Sequence, residues 1–352
     1  VAEPLLVGIL SDMSASEPSD GSSRNFETLV RLALDPIIAS GRIDREVEFV
    51  YAYGLGLPGG TAHAVERAFA DLEARGVLAI LGPAIGDNAL IATPLADRYR
   101  VPTINYAGTE RARSEWMFHL QVGSHEDESV IIARHLHQLG AVRIGVVYDR
   151  SPIGRRYFSF LQAECENLGM LIATSMSIAP EPADAAEQVA AIKAASVDAV
   201  VYLGLGVALP VVSKALQAAG VDQTRMMNTA GLWGYQPGLA GPMHGWLYLD
   251  MIADDNAVLA KLRQNLPASL AFQTRVAFAY DMGVLIGEGL ARATEYTRHG
   301  VREGLELIKW LPAAEGHDGT MLSFGNFDRG ALHGRYLVVR QWQDGRSIEI
   351  RG

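Results

Sequence analysis

Short apolar runs that alternate with stretches of helical period, several times over, leave this chain few folds to adopt. Leu5–Leu10 precedes a polar loop, Ser11–Ser23, and an amphipathic segment, Phe26–Ala39. Val47–Tyr53 (VEFVYAY) is followed by Thr61–Arg75, Val77–Leu81 by Asn88–Tyr99, and these by the run Pro102–Tyr106. Strands this short and this apolar are buried on both faces, and their alternation with helices places them in a parallel sheet covered on each side. A second series begins near residue 120: Val142–Tyr148 with Arg155–Leu168, Met170–Ile178 with Ala183–Ala195, and Ala199–Leu203 with Leu209–Ala219. The expectation is an α/β protein of two doubly wound parallel-sheet lobes.

The tail departs from this rhythm. Thr274–Thr297 and Val301–Leu311 read as helices, and Met321–Phe324 and Leu337–Trp342 as strands, so the chain is expected to return and finish both lobes. A length of 352 residues suits two lobes of ordinary size. No Pro/Ser-rich linker divides them, which predicts several short crossovers acting as a hinge. The formal charge of −10 argues against nucleic acid and against an anionic membrane surface, since both require a basic footprint. No run approaches the ~18 apolar residues of a membrane span. A single cysteine, Cys165, can form no intramolecular disulfide and reads as a packing residue on a helix. The opening residues, VAEPLLVGIL, already read as a strand rather than a signal peptide, so an exported protein would be represented here by its mature form.

One motif points elsewhere. In Tyr51–Gly60 (YAYGLGLPGG), Gly54, Gly56 and Gly59 fit the G-x-G-x-x-G spacing of a dinucleotide site between a strand and a helix. Such a site follows the first strand of its unit and needs an acidic residue at the tip of the next one. These glycines follow the second strand, and Val77–Leu81 ends in LGPAIG without Asp or Glu, so they are read as turn chemistry and no cofactor is assigned. Catalytic signals are weak as well. There is no G-x-S-x-G nucleophile elbow, and His135 and His137 stand two apart on a probable helix, facing different ways. GLGVALP is too short for a phosphate loop and lacks its lysine. An enzyme is not expected, and no metal site is assigned.

The ordered set of segments resembles the type I periplasmic binding proteins, specifically the branched-chain amino acid (Leu/Ile/Val) family of ABC-transporter substrate-binding proteins. The marks are LLVGILSDMSAS, ARGVLAILGPAIGDNALIATPLADRYRVPTINYAGT, LGAVRIGVVYDRSPIGRRYFSFLQ, VDAVVYLGLGVALPVVSKALQAAG, FAYDMGVLIGEGLARA and FGNFDRGALHG, in that order. The resemblance implies crossovers near Leu120–Gly123, Leu249–Ile252 and Asn326–Gly330. It thus implies an N-terminal lobe of residues 1–121 plus 251–327 and a C-terminal lobe of 122–250 plus 328–352. It also implies a ligand held in the cleft between lobes, against strand ends and helix N-termini.

Carried over position by position, the family's carboxylate grip falls at Gly86, where the usual residue is Ser, and at Ala107 and Thr109 of YAGT. Asp87 and Asn88 would cap the helix or compensate for the lost hydroxyl. The first acid of the α-amino grip falls nearest Glu126, with His125 and Asp127 as neighbours in register, and the second falls at Ala230, which cannot pair an ammonium ion. The aromatic positions of that lobe read Ile153 and Leu205, and Trp233 and Tyr235 suit a face packed on an apolar ligand. Trp246 and Trp310 are expected in cores. What the resemblance implies is an extracytoplasmic, periplasmic or lipid-anchored, receptor that hands a small ligand to an ABC permease. The ligand expected is a hydrophobic or aromatic carboxylate or an amino-acid-like compound. The alternative is an amide- or amino-acid-sensing regulator of the same fold that acts through a partner protein.

Overall fold

A computed structural model describes residues 3–19, 22–236, 238–266 and 275–350. The chain divides into two compact units, Val1–Val122 with Met251–Tyr336 and Gly123–Asp250 with Leu337–Gly352. The first is built on the strands β1 (Leu5–Ser11), β2 (Val47–Tyr53), β3 (Ala79–Leu81), β4 (Thr103–Asn105) and β5 (Met117–His119), in the order β2-β1-β3-β4-β5. All neighbours pair in parallel. Between them run α1 (Ser22–Ala39), α2 (Ala62–Ala74) and α3 (Gly86–Tyr99), and the returning chain adds α8 (Ala257–Gln264). The start of α2 follows from its residues. The Thr61 side chain accepts from the Ala64 N–H at 3.1 Å, and Val65, Ala68, Phe69 and Leu72 recur on one buried face. That face packs with Leu10 and Ile80 of the sheet, and the opposite face is covered by α1 and by α9 (Arg275–Arg292).

The second unit repeats the plan. Its strands β6 (Arg143–Asp149), β7 (Leu171–Ile178), β8 (Ala199–Leu203), β9 (Thr224–Met227) and β10 (Trp246–Asp250) run β7-β6-β8-β9-β10, again all parallel. The pair β14 (Val338–Gln343) and β15 (Arg346–Glu349) extends the sheet antiparallel beyond β10. Its helices are α4 (His125–Gln138), α5 (Pro152–Leu168), α6 (Ala186–Ala195) and α7 (Leu209–Ala218). In α5, the Ser151 hydroxyl accepts from the Gly154 N–H at 3.1 Å, Pro152 opens the first turn, and Gly169 closes the last one with φ +69°. Cys165 is buried on this helix. Both sheets have the strand order in which the winding direction reverses beside the first strand, and the carboxyl ends there, β1/β3 and β6/β8, are where α/β folds leave a crevice.

Three details of the tail differ from the sequence expectation. The third crossover lies at Tyr336/Leu337 rather than within Asn326–Gly330, so residues 328–336 belong to the first unit. The cause is a set of side chains: buried Arg329 donates to Glu306 Oε1 at 2.6 Å and lies over the Phe118 ring at 4.5 Å, and the Leu332 N–H donates to Gln121 Oε1 at 2.9 Å. The expected helix Val301–Leu311 is the shorter α10 (Arg298–Glu306), and β11 (Leu311–Pro312) opens a small antiparallel sheet with β12 (Met321–Leu322) and β13 (Leu332–His333). Trp310 is not a core residue, being 63% exposed beside His333, whereas Trp246 is fully buried. No described helix is long and apolar enough to cross a membrane.

Candidate functional site

The carboxyl end of the first sheet is organised by Asp12, the residue after β1. Its carboxylate accepts from the Ala84 and Ile85 N–H groups, each at 2.9 Å, and from Asn88 Nδ2 at 2.8 Å. Burial raises the Asp12 pKa, and these three donors oppose the rise. Asn88 is wholly buried and also clamps the glycine loop: its Oδ1 accepts from the Leu57 N–H at 2.8 Å and its Nδ2 donates to the Leu57 carbonyl at 3.1 Å. The glycines singled out in the sequence have a packing reason. A Cβ on Gly56 would lie 2.4 Å from Asn88 Nδ2, and one on Gly54 would lie 2.4 Å from the Ala64 carbonyl oxygen. The Gly54 and Gly56 N–H groups are occupied as well, donating to the Ser11 and Asp12 carbonyls at 2.9 Å.

Gly86, Ala107 and Thr109 all follow strand ends at this edge. Gly86 is the first residue of α3, and Ala89 of that helix packs on Ala107 and Ala112. The Gly86 N–H, at a first helical position, has no acceptor within the helix. The Ala107 N–H donates to Asn105 Oδ1 at 3.2 Å. Ala107 is held from the other side too. His119 Nε2 donates to its carbonyl at 2.7 Å, and His119 Nδ1 accepts from Arg113 Nε at 3.0 Å. Burial, with the Arg113 charge second, pushes the His119 pKa down to about 3, so the ring is neutral with its proton on Nε2. Thr109 is buried, and its carbonyl accepts from the Ala112 N–H at 3.3 Å.

The second unit repeats the aspartate device at its own strand ends. Asp149, the last residue of β6, accepts from the Leu205 N–H at 2.8 Å and from the Tyr202 hydroxyl at 2.5 Å. Leu205, Ala230 and Trp233 are brought together here. The Trp233 indole N–H donates to the Leu205 carbonyl at 2.5 Å. A Cβ on Gly206 would lie 2.7 Å from the Trp233 ring and 3.1 Å from the Ala230 Cβ. Trp233 and Tyr235 lie in a 3-10 helix, Thr229–Tyr235, and Tyr235 donates its hydroxyl to Asp250 Oδ2 at 2.8 Å. Ile153 is buried in the first turn of α5.

Sequence reasoning centred the acid of this unit on Glu126, in the first turn of α4. The carboxylate that reaches the Thr229–Tyr235 turn is Glu128, two residues further along the helix. Glu128 is fully buried and accepts from the Ser124 N–H at 2.7 Å, the Tyr157 hydroxyl at 2.8 Å and the Thr229 N–H at 2.6 Å. Burial pushes its pKa up to about 7 against these donors. The sequence signal was the spacing from the cap: Ser124 caps the helix, and a Glu four residues later returns to the cap's own N–H, close to a capping box.

Residues 4–345 match the family model described as "Periplasmic binding protein". No match is found among curated protein sequences. Among solved structures, a periplasmic binding protein type 1 from Bordetella pertussis Tohama I is 18% identical with a TM-score of 0.82, covering 99% of this chain and 100% of that one. A leucine-binding protein from Thermotoga maritima MSB8 is 16% identical with a TM-score of 0.79, covering 99% and 98%. A branched-chain amino acid transporter substrate binding protein from Streptococcus pneumoniae, in complex with isoleucine, is 16% identical with a TM-score of 0.82, covering 99% and 100%. At these identities the likeness speaks for the fold. Taken with the family match along nearly its whole length, the chain belongs to the periplasmic binding protein family, whose members are ligand-binding receptors and not enzymes, and has the type I fold.

Proposed function

We propose that the chain is an extracytoplasmic solute receptor that delivers a small ligand to an ABC permease, and that the ligand is a hydrophobic or aromatic carboxylate or a related amide. The observation carrying the ligand class is the apolar group of Leu205, Ala230 and Trp233 at the β8 strand end, where position 230 offers no acid. Burying an ammonium ion there without a full set of partners costs several kcal/mol, roughly, before relaxation. An apolar tail in the same place gains about 25 cal/mol per Å² removed from water. In this reading the Gly86 N–H and Thr109 receive the ligand's anionic or carbonyl oxygen, with Ala107 as a shaped wall. Glu126 holds at most one polar group, and Ile153 backs the tail from beneath.

A receptor of this kind closes because a ligand contacts both lobes at once. A thermal-shift screen of carboxylates, amides and amino acids identifies a binder, and small-angle scattering then compares the protein with and without it at saturation. A smaller radius of gyration with ligand is expected. An unchanged profile at saturation removes the closing-receptor reading.

A further inference from the structure

At the carboxyl edge of the first sheet, three rings from three elements meet. Tyr106, just after β4, stacks on Phe26 of α1 with centroids 5.6 Å apart and on Phe278 of α9 at 5.4 Å, and the two phenylalanines lie 6.2 Å from each other. Both phenylalanines are buried, whereas Tyr106 is half-buried and its hydroxyl makes no hydrogen bond to a described residue. The helices that carry the rings run side by side in the same direction, because Gly283 sits against Val30 and Ala33, and Gly287 against Leu34 and Ile37. Phe278 therefore stands level with Phe26, and Arg275, one turn earlier, stands beyond it at the carboxyl edge. Arg275 lies three residues before Phe278, hence on the same helical face, and forms no ion pair among the described residues. Its charge reaches the tyrosine: burial and the Asp12 carboxylate push the Tyr106 phenol up, and Arg275 draws it back.

We infer that Arg275 and the Tyr106 hydroxyl together receive the ligand's carboxylate, with the Phe26–Tyr106–Phe278 stack as the apolar wall behind it. This rests on the receptor reading above and gives its anion a cationic partner, which neither Gly86 nor Thr109 supplies. A guanidinium that forms no ion pair among the described residues, on the helical face that carries Phe278, suits a planar carboxylate together with the Tyr106 phenol, and the Asp12 oxygens do not compete, being held by Ala84, Ile85 and Asn88.

The test is calorimetry with phenylacetate, benzoate, 4-methylpentanoate and leucine, each beside its primary amide, on the wild type, Arg275→Gln, Arg275→Lys and Tyr106→Phe. Arg275→Gln is expected to weaken the carboxylates about tenfold to a hundredfold and the amides hardly at all, the range of a hydrogen bond to a charged group. Arg275→Lys should restore part of the loss, and Tyr106→Phe, which removes a single oxygen, should cost about fivefold. Equal weakening of acids and amides, or carboxylate affinity unchanged in Arg275→Gln, overturns the inference while leaving a solute receptor in place. So does a wild type that binds amides alone or none of the carboxylates at millimolar concentration. Carboxylate binding that depends on Arg275 without compaction in scattering would instead keep this pair and remove the closing receptor.

Discussion

Gly56→Ala puts one methyl group where the structure has no room for it, and its cost follows from what surrounds that point. The new Cβ would meet three atoms of the Asn88 amide at 2.4 to 2.5 Å, closer than any carbon can rest. Two responses are open. The loop can shift, at the ~1–3 kcal/mol typical of an overpacked core. Alternatively, Asn88 can swing away and break three hydrogen bonds, one of them to the Asp12 carboxylate, which costs about 3–5 kcal/mol. The cheaper response wins, so the expected loss is about 1–3 kcal/mol, and thermal unfolding of the first unit should drop by roughly 2–12 °C. The reasoning is sharpest in a double-mutant cycle followed by urea unfolding. In an Asn88→Ala background the amide is gone, so the added methyl should cost less than ~0.5 kcal/mol, a coupling of at least ~0.5 kcal/mol. Equal costs in both backgrounds, or a wild-type cost below ~0.5 kcal/mol, would refute the assignment of these glycines to packing.

Two buried titratable groups predict opposite pH dependence. His119, whose pKa falls from 6.5 to about 3 on folding, contributes stability that is present above pH 6.5 and lost as acid protonates the unfolded chain, at up to about 1.4 kcal/mol per pH unit down to about pH 3. Urea curves at about pH 4 to 7 should show a shallower acid loss in His119→Gln, and an unchanged slope would mean that this ring titrates alike in both states. Glu128, raised from 4.5 to about 7, works the other way: its contribution is present below pH 4.5 and lost as pH rises through that window. Glu128→Gln should therefore lose less stability than wild type between about pH 5 and 7, on an overall lower baseline because an amide cannot accept all of its donors.

The strand–helix alternation was legible because most strands are apolar runs a few residues long and several helices open on a side-chain cap, as α2 does on Thr61 and α5 on Ser151. The buried polar devices were not. Asn88 meets Leu57 across 31 residues and Asp12 across 76, and Glu128 meets Thr229 across 101, so no local window contains both partners. Trp310 was misjudged for the converse reason. Composition favours a buried indole, whereas the turn from α10 into β11 gives this residue a φ of +53° and exposes its ring. The placement of Gly86 at a helix start and of Leu205 just past a strand end follows from the strand–helix pattern, but the occupation of the Ala107 N–H by Asn105 is visible only in three dimensions.

Position 230 carries no acid and lies among apolar side chains, so titration calorimetry on the wild-type protein should separate leucine from its des-amino analogue, 4-methylpentanoate. The account predicts tighter binding of the carboxylate without the α-amino group, and the same order for isoleucine, valine and their analogues. Leucine, isoleucine or valine bound more tightly than every des-amino analogue would contradict it.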